Sequence, residues 1–251
     1  MLFTLVLTRV SGLVMTAPIY GTSEVPMQVR VLLAFGLALV ITPTQLGRAL
    51  AHPGSLAEYA VFLASELVIG MILGLGIVIL FSGIQLAGEA VGRLSGTMLA
   101  DIFDPASGQS VPLFSHLLYL LAIAVFVCIG GHRMVMAGLL DTFQTIPPAR
   151  AGLPDSLGWT LVTLIAQSFA LGLRAAAPAL VALLLANLVL GLIGRTLPQL
   201  NVLVLGFGIN ALLTFGVLIL SLGAAVWVFQ GQVEPFLETL LQSVHAPLRA
   251  G

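Results

Sequence analysis

Residues 59–86 read YAVFLASELVIGMILGLGIVILFSGIQL. Glu66 is the one charge in the stretch, and the apolar residues recur at helical spacing with no strand alternation to compete. The run exceeds the roughly 20 residues that a helix needs to cross a bilayer. The runs Leu113–Leu140, Trp159–Leu185 and Val202–Phe229 pass the same test. Two shorter ones, Leu2–Val14 and Val29–Ile41, are separated by Ala17-Pro18 and Val25-Pro26 and read as a broken helical pair. The expected fold is an all-α integral membrane protein of about six apolar helical segments, several of them kinked or broken.

Composition agrees. Of 251 residues, 59% are hydrophobic and 8% charged, with a mean hydropathy of +1.14; a soluble domain carries about 25% charged residues. All nine basic residues are arginine, so a lysine nucleophile or Schiff base is excluded. The net charge of -1 argues against a nucleic-acid surface. Cys128 is the single cysteine, which leaves no disulfide framework and no cysteine metal site; it is expected to be a small buried hydrophobe. The start of the chain lacks a basic n-region and meets Arg9 midway through its first apolar run, which speaks against a cleaved signal peptide. His52, His116, His132 and His245 form no metal-ligand pair, and no serine elbow or Walker-type loop is present. No catalytic residue, metal or cofactor is expected.

Gly, Pro and Ser mark the connectors at Thr42–Ser55, Asp104–Pro112, Ile146–Ser156 and Arg195–Asn201. The unusual one is 98–112, MLADIFDPASGQSVP, which is apolar through Met98, Leu99, Ile102 and Phe103 before it turns at Asp104-Pro105. An apolar front half suits either an interfacial turn or a loop that folds back into a cavity. Ionisable residues at membrane depth are Arg9, Glu66, Glu89, Arg93, Asp101 and Arg174. Glu89 and Arg93 can pair on one helical face. Glu66 and Arg174 must find partners within the chain or across an interface. Gly70 and Gly74, then Gly88, Gly92 and Gly96, allow close helix approach. Residues 174–210 read as a helical hairpin, with Pro178 kinking or breaking its first arm, Asn187 suited to bonding across a helix interface, and Gly191, Gly194, Arg195, Pro198 and Asn201 at a tight polar tip. Connector arginines show no one-sided bias, as if partner proteins rather than lipid hold part of the chain.

Four stretches in order, Arg9–Pro18 with Val25-Pro26 and Arg30, Gln85–Glu89, Asp104–Gly108 followed by Gly131-His132, and Pro178–Asn187 with Gly191, Arg195, Pro198 and Asn201, resemble the FliR family of flagellar biosynthesis proteins, whose injectisome counterpart is SctT. The resemblance implies a non-enzymatic subunit of the type III export gate, in the bacterial inner membrane at the flagellar basal body. Its implied partners are FliP and FliQ in a closed helical assembly, FlhB wrapping its cytoplasmic side, FlhA, and, transiently, unfolded exported proteins. It implies a FliP-like portion over 1–160, containing the plug loop 98–112, and a FliQ-like hairpin portion over 161–251. The family's loop projects into the channel and seals the closed pore, which would place Met98, Leu99, Ile102, Phe103, Asp104 and Pro105 at the plug. The family's plug is aromatic-rich, whereas Leu99 and Ile102 are aliphatic and Asp101 adds a charge. Arg9, Glu66, Glu89, Arg93, Arg174, Asn187, Arg195 and Asn201 are the candidates for subunit-interface or intramembrane polar roles. The competing reading is a proton-coupled secondary transporter of a small solute built on Glu66, Glu89, Arg174 and the break at Pro178; the absence of a convincing repeat between residues 1–125 and 126–251 counts against it.

Overall fold

The computed structural model describes residues 1–20, 25–47, 53–96, 113–149, 157–196 and 202–245. Among the described residues seven α-helices follow in order: α1 (Leu2–Thr16), α2 (Met27–Ile41), α3 (Leu56–Ser95), α4 (Leu113–Cys128), α5 (Gly131–Thr145), α6 (Leu157–Thr196) and α7 (Val202–His245), with a 3-10 turn at Thr42–Gln45 after α2. Among the described residues there is no strand. The α1–α2 break has a local cause. Ala17 stands before Pro18, whose ring disfavours helical geometry in the preceding residue, and it leaves the helix extended (φ -69°, ψ 126°).

Three expectations need correction. The run Leu113–Leu140 is two helices, not one: Gly130 adopts φ 80° and ends α4, a conformation that costs a glycine little. Helix α6 runs through Pro178 and continues to Thr196. Gly191, Gly194 and Arg195 are therefore helical and lie short of the hairpin tip. Cys128 is exposed, not buried. It lies two residues past buried Phe126, about 200° around the helix axis and so on the opposite face.

The chain forms two compact units, Met1–Leu80 with Val127–Ala166 and Val233–Gly251, and Phe81–Phe126 with Gln167–Gln232. In the first, Leu5, Val6, Val10 and Leu13 of α1 are buried, as are Ile69, Leu73 and Ile77 of α3 and Leu139 and Phe143 of α5. Gly70 sets the approach of α1 to α3, since a Cβ there would fall on the Arg9 carbonyl. In the second unit the Phe81 ring meets Tyr119, Phe126 and Phe229 at centroid distances of 5.8, 5.5 and 5.9 Å. Here α3 and α6 touch backbone to backbone, because a Cβ on Gly83 would fall on the Ser168 carbonyl and one on Gly172 on the Gly83 carbonyl.

Four described helical segments are long and apolar enough to cross a membrane, or five if α4 and α5 count as one bent span. Three are far longer than a crossing requires. Helices α3 and α6 have 40 residues each and α7 has 44, an axial rise of about 60–66 Å against a hydrocarbon layer of about 30 Å. Their surroundings differ. In its apolar membrane-length window α3 has 61% of residues buried by its own chain, whereas α6 has 17% and α7 has 22%. The protein thus wraps α3 and leaves most of α6 and α7 for something else to cover.

Candidate functional site

Polar chemistry in the first unit converges on one buried centre. Arg9 and Glu66, fully and almost fully buried, pair through Arg9 Nε and Glu66 Oε2 at 2.6 Å. Arg9 Nη1 donates to Thr142 Oγ1 at 3.2 Å and Nη2 to the Ile146 carbonyl at 3.0 Å, and the guanidinium lies 4.2 Å from the centroid of the Phe143 ring. The second oxygen of Glu66, Oε1, accepts the Ala149 amide at 3.2 Å. Ala149 reaches it with φ 68°, a left-handed conformation that costs a non-glycine residue about 1–2 kcal/mol, and it follows Pro147-Pro148. The centre ties α1, α3, the end of α5 and the turn after it. Each Arg9 nitrogen and each Glu66 oxygen is engaged, so the chemistry is that of a clamp. Sequence reasoning found Arg9 and Glu66 but not Thr142, Phe143 or Ala149, for which the sequence holds no local signal.

The second unit has a smaller polar chain. Asn187 Nδ2 of α6 donates to the Leu94 carbonyl near the end of α3 at 3.0 Å, and its Oδ1 accepts from Asn210 Nδ2 of α7 at 2.7 Å. Asn187 therefore uses its amide inside the chain, across the hairpin. Asn210 was overlooked, though two asparagines on facing arms of an apolar hairpin were a usable signal. Because an interhelical hydrogen bond in a membrane is worth about 1 kcal/mol, replacing Asn187 and Asn210 singly and together by leucine is expected to show a coupling of about that size, read from unfolding midpoints in detergent. A coupling near zero would contradict the pairing.

The remaining candidates scatter. Glu89 and Arg93 pair loosely at 3.7 Å on an exposed face. Arg174 is exposed partway along α6 and Arg195 is exposed near its end. Met98, Leu99, Asp101, Ile102, Phe103, Asp104, Pro105 and Asn201 lie outside the described residues. Among the described residues no cluster of side chains is fit to hold a metal ion.

Comparison with known proteins assigns this arrangement. The family model of bacterial export proteins, family 1, matches residues 1–236. The flagellar biosynthetic protein FliR of Escherichia coli is 32% identical, with 95% of this chain and 87% of that protein covered. FliR of Bacillus subtilis is 29% identical, covering 95% and 92%, and FliR of Aquifex aeolicus is 28% identical, covering 98% and 96%. With membrane-length helices and relatives of this kind over nearly its whole length, the chain belongs to the bacterial export proteins, family 1, as a FliR-type component of the flagellar export apparatus.

Proposed function

We propose that the protein is a non-enzymatic subunit of the flagellar export gate in the inner membrane at the basal body, joining FliP and FliQ and contacting FlhB and FlhA. It helps to form and seal the channel that unfolded flagellar substrates cross. Its residues 1–160 serve as a FliP-like portion and 161–251 as a FliQ-like hairpin. The observation that carries this reading is the contrast between α3 and the hairpin α6–α7. Exposed apolar residues run along α6 from Trp159 to Leu192, about 50 Å of axial rise, which exceeds the roughly 30 Å of hydrocarbon in a bilayer. A closed helical assembly supplies the missing cover, and that need explains the weak arginine asymmetry. On this reading Arg195, exposed near the end of α6, contacts a partner subunit. The intact mass of the complex, after expression with its neighbouring genes and extraction in mild detergent, tests the reading. One copy within a larger hydrophobic assembly is expected; a lone monomer or homodimer would refute it.

The sealing role rests on 98–112. Met98, Leu99, Ile102 and Phe103, turned at Asp104-Pro105, form an apolar plug that blocks water and ions in a narrow pore. Deleting 101–108 is expected to leave the assembly intact and make the membrane leaky to ions, seen as a collapse of membrane potential in a dye assay. Normal ion tightness in that deletion would end the gating role. A proton-coupled transporter would need Glu66 open to water, and both of its oxygens are bonded within the chain instead.

A further inference from the structure

Arg174 is an exposed cation in the middle of an apolar helix. The buried side of α6 runs through Leu164, Ser168, Gly172, Ala176, Ala179 and Leu183, three or four residues apart. The opposite side exposes Trp159, Val181, Leu184, Leu188 and Leu192, and Arg174 opens onto it. Among the described residues no carboxylate pairs with Arg174 and no hydrogen bond involves it.

Lipid alone cannot cover this surface. From Trp159 to Leu192 the exposed apolar residues extend for about 50 Å of axial rise, against about 30 Å of hydrocarbon. If the hydrocarbon is centred on Arg174, an unpaired guanidinium stands at the midplane, where charge is most costly. If it is shifted far enough toward either end for Arg174 to reach the interface, some 20 Å of apolar surface is left in water. Both placements require protein. A second copy docked about a two-fold axis through this face would set arginine against arginine, so the occupant is a different chain.

We propose that the exposed face of α6 is covered by a helix of a partner subunit that is apolar along its length and presents a carboxylate opposite Arg174. This rests on the export-gate reading and adds to it the chemistry of one contact. In the assembly Arg174 is then desolvated and paired, and its charge fixes the register of the two helices.

The test uses the full chain expressed with its neighbouring genes, comparing R174K, R174L and R174E by the amount of assembled complex recovered in mild detergent. R174K is expected to stay within about twofold of the parent, R174L to fall severalfold by leaving the carboxylate unpaired, and R174E to fall by about tenfold or more through like-charge contact. The isolated chains should remain monodisperse, because Arg174 makes no contact that supports the fold of its own chain. If R174L and R174E assemble like the parent, or R174K falls as far as R174L, the carboxylate is refuted and the gate reading stands. If the parent chain joins no assembly, the gate reading fails, and this inference with it.

Discussion

Replacing Glu66 with alanine is expected to destabilise the protein by roughly 3–5 kcal/mol, the cost of leaving one member of a buried ion pair uncompensated. The geometry argues for the upper part of that range. Arg9 is completely buried, so its charge cannot turn to water, and the Ala149 amide loses its acceptor at the same time. Glu66→Gln should fall between, since an amide oxygen can still accept one of the two hydrogen bonds. The double replacement Arg9→Met, Glu66→Leu should recover most of the loss, because a buried pair exchanged for apolar side chains of similar volume is often close to neutral. Thermal unfolding of the detergent-purified chain, followed by size-exclusion chromatography, gives all four values. A Glu66→Ala protein with an unchanged midpoint would show that the pair contributes nothing.

The second large effect is steric. Gly83→Ala and Gly172→Ala each place a methyl group against main-chain atoms of the facing helix, and neither backbone can move aside as a flexible side chain would. Overpacking of this kind costs about 1–3 kcal/mol and more where the neighbours are rigid. In a membrane, where helix association depends on close packing, α3 and α6 should separate there. Gly191→Ala is the control. No atom lies within 4 Å of a Cβ there, so the substitution should be neutral or add up to about 1 kcal/mol of helix stability. Equal unfolding midpoints for Gly83→Ala, Gly172→Ala and Gly191→Ala would contradict the close contact.

What the sequence revealed divides along physical lines. Apolar runs longer than a bilayer crossing made the helices legible, and the Ala-Pro pair after α1 made its end legible. The break at Gly130 was not, because glycine is common in membrane helices and only the backbone conformation separates a hinge from a packing contact. Pro178 left two outcomes open, a kink or a break, and α6 continues through it. The clamp was half legible. Buried charges stand out in an apolar chain, so Arg9 and Glu66 were visible, yet their pairing spans 57 positions and depends on α1 lying along α3. Ala149 was invisible because it contributes a backbone amide, which every residue but proline has.

The clamp also sets an order of events during synthesis. Arg9 leaves the ribosome 57 residues before Glu66 and 133 before Thr142. At about 5–20 residues per second, the guanidinium waits roughly 3–11 s for its counter-ion, and longer for the hydroxyl and carbonyl that complete its shell. During that delay α1 holds an arginine it cannot bury, so it is held near a polar boundary until α3 arrives. Helix α1, made before α3 and α5, is thus fixed in place only after them.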